Sequence, residues 1–213
     1  MWAALFPPIC LGCGRLLRHA DPLALCSRCH PQQARLPDSL AERGGVWAAW
    51  TYDGPLAAAV VSLKFAGALA LAGPLGRLLA EEPRLVVDAA GRPHDLVVSI
   101  PLHWRRRVVR GFDQAEALAR AALLPHGSQA PPLARGLVRR DRATTPQTEL
   151  DAGAREANVT GAFCVARPDQ VRGRRVLLID DVTTTGATFR ACADVLWHAG
   201  AAGVEGLALL RAV

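Results

Sequence analysis

Two adjacent carboxylates, Asp180 and Asp181, follow an apolar run, Val176-Leu177-Leu178-Ile179, and precede a hydroxyl-rich turn, Thr183-Thr184-Thr185-Gly186-Ala187-Thr188. The apolar run predicts a strand buried on both faces of a sheet. From Phe189 the apolar residues Phe189, Cys192, Ala193 and Leu196 recur with the spacing of an amphipathic helix. Gly200 supplies a stop, and Val204 to Leu210 predicts the next strand. The Thr-rich turn therefore lies at a helix N-terminus, where unpaired N–H groups and a partial positive charge attract phosphate. Gly186 allows close approach of the backbone to an anion. The two acids would repel a phosphate that touched them, and suit instead the hydroxyls of an attached sugar or a divalent cation. Phosphate at one end and acceptors for a diol at the other describe a ribose 5-phosphate site.

From Val176 to Thr188 the stretch resembles the 5-phosphoribosyl-1-pyrophosphate (PRPP) motif of type I phosphoribosyltransferases. The resemblance implies that Asp180 and Asp181 hold the ribose 2- and 3-hydroxyls. It also implies that the loop from Thr183 or Thr184 through Thr185, Gly186, Ala187 and Thr188 cradles the 5-phosphate. The bland alternative is an ordinary strand-to-helix turn with threonine caps and solvated acids, but the strand and helix that the motif requires flank it on both sides.

A second constellation lies near the N-terminus. Cys10-x-x-Cys13 and Cys26-x-x-Cys29 are separated by 12 residues. Two such knuckles can present four thiolates to one structural Zn²⁺ and leave no open position for substrate. Two disulfides are the competing account, and the absence of a secretory leader in the sequence weighs against them. His19 and His30 are read as surface residues. Cys164 and Cys192 fall on expected core faces and carry no chemistry.

The elements that must position these groups can be read around them. At 213 residues and 51% hydrophobic, the chain can bury a full core as one α/β domain with a small appendage. A zinc ribbon is expected over residues 1–36, a polar linker from Pro31 to Gly45, and the main domain over 46–213. Within it, Val46 to Tyr52 and Leu96 to Ile100 read as strands. Leu56 to Leu63, Leu69 to Glu81 and Phe112 to Leu124 read as helices. No uncharged run is long enough to span a bilayer, so membrane insertion is not expected, and the cytoplasm is the expected location. The net charge is +6, carried by 24 arginines and a single lysine, Lys64. Such a balance suits nucleic acid or a polyanionic small substrate equally.

After the second strand, Arg105, Arg106, Arg107 and Arg110 fall within six residues and precede Gly111 and a helix. Arginine's fork matches phosphate oxygens in pairs, so this turn is a candidate pyrophosphate site. Lys64, between two helices, is either a solvated helix end or a further phosphate contact. Here the resemblance narrows. Pro101-Leu102-His103, the arginines and Arg110-Gly111-Phe112-Asp113-Gln114 are similar to the signature of the ComF (ComFC-like) competence family. That family usually has Asn in place of Asp113, a departure that alters one hydrogen bond. Arg139-Arg140, Thr144-Thr145, Gln147, Arg155, Asn158-Val159 and Gly161-Ala162-Phe163 fit the same pattern, and Arg139 to Glu156 reads by analogy as a loop that closes over PRPP.

The resemblance implies a type I phosphoribosyltransferase-like fold, a mostly parallel sheet flanked by helices, and a PRPP-binding transferase that uses Mg²⁺ and is associated with DNA uptake. Purine-salvage relatives carry an aspartate three residues after the second acid; here that residue is Thr184, so no general base for a purine is offered there. The acceptor is not legible. The rival readings are a non-catalytic PRPP-binding protein, or an accessory protein that binds single-stranded DNA or DNA-uptake proteins.

Overall fold

A computed structural model describes residues 9–17, 24–102, 108, 111–140 and 161–212. Its centre is a five-stranded sheet in which β1 (Glu42–Arg43), β2 (Val46–Thr51), β7 (Gly203–Arg211), β6 (Arg175–Thr183) and β3 (Leu96–Ser99) lie side by side in that order. β2, β7, β6 and β3 are parallel, and only the short β1 runs antiparallel at the edge. The expected mixed α/β architecture with a mostly parallel sheet is the one observed. A two-stranded antiparallel hairpin, β4 (Val138–Arg140) and β5 (Phe163–Val165), lies outside the sheet.

Both faces of the sheet are covered, which is why β6 and β7 read as nearly continuous apolar runs. On one face pack α2 (Gly54–Phe65), α3 (Ala72–Ala80) and α4 (Gln114–Leu123), whose buried Leu56, Leu63, Leu79 and Leu118 meet Leu177, Ile179 and Leu207. On the other, α5 (Ala187–His198) and the hairpin bring Phe189, Leu196 and Phe163 against Val176, Leu178 and Ala208. α3 and α4 approach closely because residue 76 is glycine: a Cβ there would stand 2.4 Å from that of Ala121.

One expectation is corrected. The stretch from Pro31 to Gly45 is not a linker. It contains a 3₁₀ turn (His30–Gln32), the short helix α1 (Asp38–Ala41) and β1. Buried Leu36 and Ala41 tie it down, as do a bridge from Arg35 to Trp50 and an Arg35–Glu82 ion pair of 2.6 Å. Its polarity reflects its place at the sheet's edge, where one side meets water. β6 carries both carboxylates near its C-terminal end, where the sequence places them, and continues to Thr183. The remaining boundaries shift by a few residues; α4 begins at Gln114 because Asp113 caps it.

The cysteine-bearing segment packs onto the main domain. Cys10, Leu11, Leu25 and Cys29 share a core cluster with α2. Gly12 lies so close to Pro55 that a Cβ would come within 2.6 Å, and the Leu56 N–H donates to Gln33 Oε1 at 3.0 Å. Among the described residues no helix is long and apolar enough to cross a membrane.

Candidate functional site

β6 delivers Asp180 and Asp181 to opposite faces of the sheet, as strand periodicity requires. Asp181 is 2% exposed and turns toward α2, where Lys64 Nζ stands 2.9 Å from its Oδ1. Lys64 is therefore no solvated helix end: the side chain is only 20% exposed and points at the acid pair. Burial alone would pull the Lys64 ammonium down, but Asp181 and then Asp180 outweigh it and hold its pKa above the ordinary lysine value. Asp181 Oδ2 and Thr183 Oγ1 are buried on the same side of the strand with no hydrogen-bond partner among the described residues.

Asp180 is half-buried on the α5 side, where the Cys192 thiol feels its charge. Its Oδ1 accepts from the Asp181 N–H at 2.8 Å. Burial, followed by the neighbouring Asp181 carboxylate, pushes the Asp180 carboxyl well above the usual range, against the pull of Lys64. One cation thus serves two acids. The pair is poised to accept a further positive or hydrogen-bonding group.

The turn after β6 leads through a glycine into α5. Gly186 adopts φ +76°, a left-handed conformation that side chains strain to reach, and directly precedes α5. The Ala187 N–H donates to Thr185 Oγ1 at 3.4 Å, and Arg190 Nη1 donates to the Thr185 carbonyl at 2.7 Å, which pins the loop from below. Thr184, Thr185 and Thr188 are partly exposed at its rim, whereas Thr183 is the last residue of the strand and is buried. Thr183 thus stands apart from the hydroxyls that could face a phosphate.

Asp113 ties the loop after β3 to the start of α4. Its Oδ1 accepts from the N–H groups of Ala115 and Glu116 at 3.1 and 3.2 Å, and its Oδ2 accepts from Leu102 N–H at 3.0 Å. An asparagine would present an NH₂ group to one of these donors, so the carboxylate gains one acceptor contact that joins the β3 loop to the start of α4. Arg140 was not singled out as a site residue in its own right. Its guanidinium lies over the Phe163 ring at 5.3 Å and its charge reaches Cys192, which places it on the Asp180 side of β6. The only sequence signal for it is the Arg139-Arg140 pair at the entry to a long polar segment. Arg105, Arg106, Arg107 and Arg110 lie outside the described residues, as do His19, His103, Thr144-Thr145, Gln147, Arg155 and Asn158-Val159.

The ligand atoms of Cys10, Cys13, Cys26 and Cys29 all lie within 4.8 Å of one another. Sulfurs bound to one Zn²⁺ at about 2.3 Å in a tetrahedron are about 3.8 Å apart; Cys13 Sγ and Cys26 Sγ are separated by 3.8 Å. The Cys26 thiol is lowered to about 6, chiefly by the Cys29 backbone N–H, whereas burial and the neighbouring sulfurs push Cys29 up to about 12. Full deprotonation of four adjoining thiols needs a compensating cation. The cluster fits a zinc ion.

No protein-family model matches the chain. Sequence relatives do. It is 33% identical over 222 residues to the DNA utilization protein YhgH of Salmonella typhi, covering 95% of this chain and 90% of that one. It is 32% identical over 167 residues to competence protein F of Haemophilus influenzae, covering 76% and 70%. The chain belongs to the ComF competence family. Competence protein ComFC of Bacillus subtilis is a more distant member, 26% identical over 99% of this chain and 89% of its own. Among solved structures, the glutamine PRPP amidotransferase of B. subtilis is 23% identical over 63% of this chain and 25% of its own, at a TM-score of 0.40. The family assignment rests on the sequence relatives alone.

Proposed function

We propose that this ComF-family protein is a PRPP-binding phosphoribosyltransferase of still unidentified acceptor, linked through its relatives to DNA uptake. One observation carries the reading: an acid pair at the end of β6 runs directly into a left-handed glycine and the N-terminus of α5, with Lys64 beside the acids. In this reading the Thr184–Thr188 loop and the helix N-terminus hold the 5-phosphate. Asp180, half-buried and partly satisfied, accepts from the ribose hydroxyls. Asp181, fixed by Lys64, sets the field beneath the sugar. Departure of pyrophosphate from C1 builds positive charge on the ring, which two carboxylates stabilise, while the arginines at 105–107 and 110 take the leaving group. Mg²⁺, held by Asp180 and substrate oxygens, would neutralise pyrophosphate charge. Lys64, assigned from sequence to the pyrophosphate, acts here through Asp181.

Calorimetric titration of PRPP with Mg²⁺ into wild type and Asp180→Asn/Asp181→Asn tests the site. Binding abolished in the variant supports it, and an acceptor screen reading pyrophosphate release then tests transfer. A wild type that does not bind PRPP overturns the reading. Thr184, where purine-salvage enzymes place a base, favours a second reading, a PRPP-binding accessory protein without turnover. Binding without pyrophosphate release across nucleobase, amine and nucleic-acid acceptors would establish it.

A further inference from the structure

A cavity of about 230 Å³ opens at the other end of the sheet, where β6 and β7 begin. Six residues separate Arg175 from Asp181 along β6, roughly 20 Å at strand rise, so the cavity is distinct from the acid pair. Its walls combine groups that rarely meet by chance. Trp197, at the C-terminal end of α5, is 48% exposed and lines the cavity. His94 is 6% exposed, with Nε2 against the Arg84 carbonyl at 3.2 Å and Nδ1 without a hydrogen-bond partner among the described residues. Two guanidiniums, Arg92 and Arg175, complete the rim, with side chains 64% and 31% exposed.

The acids in the same wall are already engaged. Asp88 Oδ1 accepts from Ala90 and Arg92 N–H at 2.9 and 2.8 Å, and its Oδ2 accepts from Arg92 Nε at 2.7 Å. Glu205 Oε1 accepts from Ala89 N–H at 3.0 Å, and its Oε2 faces Arg84 at 3.5 Å. Among the described residues Arg92 uses only Nε on Asp88, and Arg175 uses Nε on the Pro93 carbonyl and Nη2 on Asp95 at 3.4 Å. Guanidinium N–H groups therefore remain for an outside acceptor, and forked N–H pairs match phosphate oxygens. A partly exposed indole beside them suits a flat base, because every base has a face to stack. His94 and Glu205 add polar groups to the wall.

We propose that this cavity is a nucleotide-binding site: a base stacks on Trp197 within reach of His94 and Glu205, and its 5′-phosphate rests on Arg92 and Arg175. The volume lies below the range of drug-sized sites, about 300–1,000 Å³, so one nucleotide fills it and longer ligands project outward. The proposal stands independently of the PRPP reading, since it uses none of the same residues.

Isothermal titration of AMP and TMP into the full chain tests it, with adenosine, inorganic phosphate and a thymidine oligonucleotide as comparison ligands. The expected result is mononucleotide binding that weakens at least tenfold in Trp197→Ala and in Arg92→Ala, and is unchanged in Asp180→Asn/Asp181→Asn. Both cavity substitutions fall on exposed side chains, and unaltered thermal melts verify folding. Adenosine and phosphate alone should each bind at least tenfold more weakly than AMP. Equal affinity for phosphate and AMP would reduce the site to an anion contact and overturn the proposal. So would binding indifferent to both cavity substitutions, binding lost only with the acid pair, or binding of the oligonucleotide without any mononucleotide.

Discussion

Lys64 Nζ lies 2.9 Å from Asp181 Oδ1, and the chain's single lysine is thereby the counter-charge of a buried acid. The pair joins α2 to β6 beneath the proposed sugar site. Removing one partner of a buried pair leaves an uncompensated charge and typically destabilises by about 3–5 kcal/mol, while replacing both with apolar groups is often neutral. Lys64→Met is therefore expected to lose about 3 kcal/mol in urea unfolding, and Lys64→Met/Asp181→Leu to recover most of it. A single-mutant loss below about 1 kcal/mol would mean that the pair behaves like a screened surface contact.

Asp180 gives the opposite sign. Its folded pKa is raised, chiefly by burial and then by Asp181. Relative to an unfolded aspartate near about 3.9, the fold prefers the protonated form. That preference favours folding fully below the unfolded value and is lost as pH climbs through the raised folded value, so at neutral pH the carboxylate opposes folding. Asp180→Asn should stabilise the protein at pH 7 by about 0.5–2 kcal/mol, with the gain shrinking toward pH 4, while PRPP binding falls. Paired melts from pH 4 to 8 would show it; a gain independent of pH would refute the electrostatic cause.

Much of this site was legible because its residues are neighbours in sequence. Asp180, Asp181, Gly186 and the start of α5 follow one another, and a strand, a turn and a helix can be arranged around them in one way. The four cysteines were legible from spacing alone. Lys64 was harder: 117 positions separate it from Asp181, and no local pattern announces a pairing made only when α2 packs on β6. Arg35 and Glu82 were hidden for the same reason, and with them the edge role of the segment taken for a linker. The cavity beside Trp197 draws on β6, β7, α5 and the turn at 88–94, none of which carries a motif.

Gly206 controls how closely α5 approaches the sheet. A Cβ on it would stand 2.6 Å from Phe189 Cδ1 and 3.0 Å from Val46 Cγ2. Phe189 sits in the first turn of α5, immediately after the proposed phosphate loop. Gly206→Ala should therefore destabilise by about 1–3 kcal/mol and also weaken PRPP binding by lifting the loop. Gly73→Ala is the matched control. It is a first-turn helical position with nothing but its own chain neighbours within 4 Å of the new Cβ, and it should change stability by no more than about 0.5 kcal/mol. Chemical unfolding with PRPP titration separates the two; equal effects would show that close packing on Phe189 does not govern the loop.

The cysteine cluster is more than a local staple, because Cys10 and Cys29 share a core cluster with Leu56, Val60 and Leu63 of α2, the helix whose last turn carries Lys64. Zinc removal should act along that helix. A purified chain is expected to hold one zinc per molecule by atomic absorption. A strong chelator, or Cys13→Ser at the exposed ligand, should lower the melting temperature and weaken PRPP binding, with both restored by added zinc in the chelated wild type. Far-UV circular dichroism should retain most of its signal, since the α5 face of the sheet has a separate core. A metal-free chain with four titratable thiols in that segment and an unchanged melt would rule the zinc site out.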